Sequence, residues 1–229
     1  ISSSQTGYQL KKRFNIPSIV GHLYTNSDGK DPINIHLSST KKNIKHIALK
    51  TDARYLKNIA DSIKLVGLSG LTICRALQKK VSKHLPLLDP IAKKSGTVEL
   101  VVQKNGWIMG YDIRGNTLLD WADKYSTRTT KKRATLIGRH QFMDSFKGSL
   151  TYGDWIVGKD PSPSLIIIGT LTKKQLEGLD VSLSSRPRLI LDLGGYLSKK
   201  RWKGVKILNC RQFTRLCRQT TATLLTLRR

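Results

Sequence analysis

The chain has 229 residues, enough for one large domain or two small ones with real cores. Its 41 Lys+Arg against 15 Asp+Glu leave a formal charge of +26, where a small domain ordinarily carries a magnitude of about 2–8. Such an excess repels itself and calls for a polyanion, so RNA, DNA and an anionic membrane surface are the expected partners, and no apolar run approaches the roughly 20 residues of a membrane-spanning helix.

Residues 1–32 read as a basic arm. They carry Lys11-Lys12-Arg13, a short strand near Ile16 to Leu23, and the turn formers Asn26 to Pro32. Residues 33–95 read as a helical basic lobe. Ile33 to Leu37 and Ile44 to Leu49 alternate as strands do, and then Thr51 caps a pattern in which Tyr55, Leu56, Ile59 and Ile63 recur at helical spacing. A second stripe follows Gly70, with Ile73, Leu77, Val81 and Leu85 on one face, Lys79, Lys80 and Lys83 mostly off it, and Pro86 as its end.

Residues 96–229 read as a strand-rich lobe. Asn105-Gly106 between two apolar runs predicts a hairpin, because both residues tolerate the positive φ of a type I′ turn. Leu118 to Tyr125 reads as a short helix and Tyr152 to Val157 as a strand. Leu165-Ile166-Ile167-Ile168, Leu189-Ile190-Leu191 and Val205 to Leu208 read as strands buried on both faces, with a helix around Thr172 to Leu179 between the first two. Phe213, Leu216, Cys217, Thr220, Leu224 and Leu227 form one face of a closing helix, with Arg211, Arg215 and Arg218 beside it. The fold class expected is therefore α+β, a helical N-terminal part and a strand-rich C-terminal part closed by an amphipathic basic helix.

Chemistry-bearing motifs are sparse. Gly67-Leu68-Ser69-Gly70 and Leu193-Gly194-Gly195 lack the spacing of a nucleotide loop. The five histidines show no paired ligand spacing. Cys74, Cys210 and Cys217 are too scattered for a disulfide scaffold or a zinc site, and read as buried small hydrophobes in a reducing intracellular compartment. The start at Ile1 is that of a processed protein or a fragment. Among the acids, Asp192 at the end of its strand is the most site-like, and pairing of each acid with a neighbouring base is the plainer reading. No catalytic residue, metal or cofactor is expected.

The basic clusters carry the functional expectation. Arg128, Lys131, Lys132, Arg133 and Arg139 fall within one segment, and Lys199-Lys200-Arg201-Trp202-Lys203 sets four cations around an indole. Cations neutralise phosphate while an aromatic ring stacks on an unpaired base. With Lys11, Lys12, Arg13, Lys79, Lys80, Lys83, Arg211, Arg215 and Arg218 they suggest a broad surface for nucleic acid, RNA in preference to DNA, in a non-catalytic structural component of a ribonucleoprotein particle that also holds other proteins.

The segment Leu189-Ile190-Leu191-Asp192-Leu193-Gly194-Gly195-Tyr196-Leu197 resembles one near the C-terminus of pneumovirus matrix proteins, in which a strand ends in Asp-Leu-Gly and then Tyr-Leu. The resemblance implies a β-rich protein whose positive surface meets anionic membrane and nucleocapsid. A metal-dependent nuclease or recombination protein using Asp192 is the further alternative.

Overall fold

The computed structural model describes residues 18–25, 44–126, 131–179, 183, 187–197 and 204–226. They fall into two compact units, Ile1–Ile113 with Arg218–Arg229, and Arg114–Cys217. Lys11, Lys12 and Arg13 of the expected arm lie outside the described residues, as do Ile33 to Leu37, Arg128 and the cluster from Lys199 to Lys203, whereas the strand expected near Ile16 to Leu23 is present at Ser18–Tyr24, inside a sheet rather than on a separate arm.

Unit 1 is built on a mixed sheet of β1 (Ser18–Tyr24), β2 (Ile44–Lys50), β3 (Gly70–Ile73), β4 (Leu87–Leu88), β5 (Leu100–Lys104) and β6 (Trp107–Tyr111). The order is β2-β1-β3-β5-β6-β4. β2, β1 and β3 run parallel, and β5 is antiparallel to both of its neighbours. The hairpin from β5 to β6 turns on Asn105 and Gly106 at φ of 48° and 82°, as the sequence predicts. Helices α1 (Ile59–Val66), α2 (Gln78–Val81) and α3 (Pro90–Ser95) join these strands. Leu56 and Ile63 on the helical side meet Leu71, Ile73, Val101 and Ile108 in one core.

This corrects the expected helical N-terminal part. Ile73, Leu77 and Val81 are all buried, but Gly70 to Ile73 is a strand with every residue buried, and the helical turns begin only after Cys74. A strand covered on both faces shows no alternation, so its last residue merged with the helical stripe that follows. Gly67 is the left-handed C-cap of α1, its N–H donating to Ile63 O.

Unit 2 is built on five parallel strands, β7 (Arg133–Ile137), β8 (Ile156–Val157), β9 (Leu165–Ile168), β10 (Leu189–Asp192) and β11 (Lys206–Asn209), in the order β11-β10-β9-β7-β8. α4 (Ile113–Tyr125) precedes them, α5 (Met143–Tyr152) crosses from β7 to β8, and α6 (Lys173–Glu177) follows β9 behind a capping box of Thr172 and Gln175. Parallel strands joined through helices make this α/β rather than the α+β layout expected. Tyr152, expected to open a strand, ends α5 instead.

The closing helix, α7 (Cys210–Thr226), starts on a reciprocal cap: Gln212 N–H donates to Asn209 Oδ1 at 2.9 Å and Asn209 N–H to Gln212 Oε1 at 3.2 Å. Its buried stripe is Phe213, Cys217, Thr221 and Leu225, so the expected face is rotated at its C-terminal end. A basic, anion-facing closing helix is not supported: Arg211 and Arg215 are exposed, and Arg218 is half-buried. Cys74 and Cys217 are buried as expected, whereas Cys210 is exposed. Among the described residues no helix is long and apolar enough to cross a membrane.

Candidate functional site

In each unit, parallel strands bring one edge of the sheet together at their C-terminal ends, the place where ligands meet open α/β sheets. In unit 1 this edge is a continuous row of backbone hydrogen bonds. Cys74 N–H donates to Leu23 O at 2.9 Å, Ile73 N–H to Glu99 O at 2.9 Å and Glu99 N–H to Tyr111 O at 2.8 Å. The row ties the end of β1, the end of β3, the start of β5 and the end of β6 into one line.

Polar residues gather along that line, and several are buried. His22, Thr72, Gln78, Asp89, Glu99 and Asp112 are each 9% exposed or less, with Asp112 at 0%. His22 Nδ1 lies 2.9 Å from Thr72 Oγ1, and Gln78 Nε2 donates to Ile73 O at 3.2 Å. Asp89 works on the backbone: Oδ2 accepts from Ile91 N–H, and Oδ1 accepts from Ala92 and Asp112 N–H, all at 3.2 Å. It thus caps α3 and fixes the chain as it leaves β6. Burial, and then the charge of Asp89, raises the Tyr111 hydroxyl above the ordinary tyrosine value and keeps it a proton donor. Arg75 is exposed directly after β3. Buried carboxylates at the start of β5 and just after β6, with an exposed guanidinium following β3, suit a small molecule that combines hydroxyl groups with an acid group.

In unit 2 the order of strands reverses between β7 and β9, so the switch point lies outside Ile137 and Ile168. Two turns meet there, Gly138 to Phe142 and Gly169 to Leu171. Arg139 and Thr170 exchange both backbone hydrogen bonds, each 2.8 Å long. Gly138 adopts φ of 82°, and a β-carbon there would lie 2.5 Å from Thr170 O. Phe142, beside this turn, carries the Arg114 guanidinium 3.9 Å above its ring.

Asp192, singled out from its place at a strand end, stands at this same edge. Its Oδ1 accepts from Gly195 N–H and its Oδ2 from Leu197 N–H, both at 2.8 Å, so the carboxylate folds its own loop. Tyr196 is part of that loop, its hydroxyl accepting from Leu171 N–H at 3.0 Å. Among the described residues no group of three or more His, Cys, Asp or Glu is placed to hold a metal ion.

Among the described residues, the cations chosen from the sequence fall in several separate elements. Lys79, Lys80 and Lys83 are exposed on the turns after β3 in unit 1. In unit 2, Lys131 and Arg139 are exposed, whereas Lys132 Nζ pairs with Asp123 at 3.0 Å and Arg133 with Asp160 at 2.8 Å. The latter two bases are partners for acids, whereas Asp192 accepts from backbone N–H groups, so pairing with a base does not account for every acid. What sequence reasoning did not bring together is the pair of sheet edges, one with the strand-end acids Glu99 and Asp112, the other with the turn at Gly138. An apolar strand, a glycine and a helix in succession marked that turn, but the flanking cations obscured the strand.

No protein-family model matches the chain. The shikimate dehydrogenase (NADP(+)) of Dehalococcoides mccartyi is 25% identical over 120 residues, 52% of this chain and 42% of that protein. That of Bacillus cereus is 31% identical over 94 residues, 37% of this chain and 34% of that protein. The matched stretches therefore span less than half the length of either relative. Among solved structures, the shikimate 5-dehydrogenase of Listeria monocytogenes, in complex with shikimate and NAD, superposes with a TM-score of 0.65 at 13% identity, covering 92% of each chain.

The fold is shikimate dehydrogenase-like. It is a Rossmann-type α/β arrangement, and it overturns the expectation of a non-catalytic RNA-binding or ribonucleoprotein component, together with the matrix-protein and nuclease alternatives. The relatives matched by sequence are named as shikimate dehydrogenases, and the likeness in structure is one of fold.

Proposed function

We propose that the chain is a shikimate dehydrogenase-like protein of the oxidoreductase class, with its small-molecule site at the edge of the unit 1 sheet. The ligand is a hydroxylated carboxylic acid of the shikimate kind. The observation that carries this reading is the hydrogen-bonded row through Leu23, Cys74, Glu99 and Tyr111, with buried Glu99 and Asp112 beside it, in a fold shared with a solved shikimate complex. Buried carboxylates accept hydrogen bonds from hydroxyl groups more strongly than neutral acceptors do. Arg75, at the same edge, supplies a cation for the ligand's acid group.

The dinucleotide in the names of these relatives fits the chain poorly. A dinucleotide turn uses three glycines spaced G-x-G-x-x-G, for the tight turn, for approach to the pyrophosphate and for helix packing. Here only the first is present, as Gly138; the second position is His140 and the third Met143. Binding of the acid without hydride transfer is the second reading, and this turn favours it.

Calorimetric titration of the full chain with shikimate tests the unit 1 site. Saturable one-to-one binding is expected, weakened about tenfold or more by Glu99→Gln, since a hydrogen bond to a charged group contributes about 1.5–3 kcal/mol. Asp123→Asn, in unit 2, leaves it unchanged. Absence of saturable heat with shikimate overturns the proposal.

A further inference from the structure

We infer that the pyrophosphate position of unit 2 is latched shut in this chain, so that the protein engages its hydroxylated acid without a nicotinamide dinucleotide. This rests on the unit 1 site above and develops the second reading, in which the acid is bound without hydride transfer.

Phosphate binding at a helix start depends on backbone N–H groups that are free to face the anion. At the start of α5 the His140 residue takes up two of them. Phe142 N–H donates to His140 Nδ1 at 3.4 Å, and Met143 N–H donates to His140 O at 3.1 Å. Asp144 then places a negative charge in the first turn, where a diphosphate is favoured by positive charge.

The crevice in front of that helix is also closed. The two hydrogen bonds between Arg139 and Thr170 span the switch point itself. Gly169 is packed so that a β-carbon on it would lie 2.7 Å from Arg139 O. The next loop is fastened on as well, through the Tyr196 hydroxyl to Leu171 and through Gly194, which sits against the Tyr196 ring and Gly169 O. Three consecutive strand-end loops are thus bonded to one another where a dinucleotide lies in a binding fold.

A third observation concerns the ribose. Dinucleotide sites place an acid about 20 residues after the first glycine to hold the ribose hydroxyl. Asp160 stands in that region, after β8, but its Oδ1 accepts from Ser162 N–H at 2.7 Å and its Oδ2 from Arg133 at 2.8 Å. Both oxygens are committed within the protein.

The test uses the full chain with NADPH, NADP+ and shikimate as separate probes. NADPH fluorescence is followed to about 1 mM, the upper end of ordinary enzyme affinities for substrates, and shikimate binding by calorimetry. The expected result is saturable shikimate heat with no NADPH response. In parallel, hydrogen exchange at the Arg139 and Thr170 amides is expected to be slow and unmoved by NADP+. A saturating NADPH response, or exchange at those amides that changes with NADP+, overturns the latch while leaving the unit 1 site standing. Absence of shikimate heat removes the unit 1 reading and the inference built on it.

Discussion

Asp89 shows how much one buried side chain does at the candidate site. It is 5% exposed and takes three backbone N–H groups, two in the first turn of α3 and one at Asp112. Asp89→Ala removes a helix cap and leaves a buried donor at Asp112 unmatched. The expected loss is about 2–5 kcal/mol, from roughly 1–2 for a cap and about 1–3 for an unpaired buried group. Urea unfolding of the variant measures it, and a loss below about 0.5 kcal/mol, the ordinary range of an inert surface change, contradicts the assignment. The helix start at Asp89-Pro90 went unread in the sequence, although Pro is favoured at the first helical position. The third bond of Asp89, to Asp112, was not legible at all, because nothing local in a sequence states which residue 23 positions on will be brought alongside. Asp192 is the converse. Its place at a strand end was read correctly, but position alone did not tell a ligand-binding carboxylate from one that accepts from Gly195 and Leu197.

At the scale of elements, the ion pair of Arg133 with Asp160 ties the first residue of β7 to the segment after β8. The Ser162 backbone N–H first, and the Arg133 guanidinium with it, hold the Asp160 carboxyl below the ordinary aspartate value. A carboxyl with a lowered folded pKa contributes stability above its unfolded value of about 3.9, and loses that contribution as pH falls through the folded value. Asp160→Asn is therefore expected to lower the unfolding midpoint at pH 7, with the gap to the parent chain closing as pH drops below about 4. A gap that is independent of pH contradicts the charge assignment. The strands β9, β10 and β11 were legible as apolar runs, and the hairpin from its Asn-Gly turn. β7 was not, because Arg133 and the lysines before it gave the stretch the look of a basic loop. Nor was α5, where Gly148, Thr151 and Tyr152 weaken the helical signal and packing of Phe146 and Leu150, both 0% exposed, decides the outcome.

For the whole molecule the charge of +26 was the strongest fact in the sequence and the most misleading. Net charge bears on solubility and association and says nothing about fold. Part of it is met locally, as at Lys132 with Asp123 and Arg133 with Asp160, and among the described residues other cations, such as Lys79, Lys80 and Lys83, are exposed on helical turns. The pattern behind the proposed function, two sheets each gathering polar residues at one edge, emerges only when strands far apart in the chain are paired. The most direct test is the thermal unfolding midpoint of the full chain with shikimate alone and with NADP+ alone, each at about 1 mM. A ligand that binds only the folded state raises the midpoint in proportion to its occupancy. A rise with shikimate and none with NADP+ is the predicted result; a midpoint that shikimate leaves unmoved, or that NADP+ raises, contradicts the account.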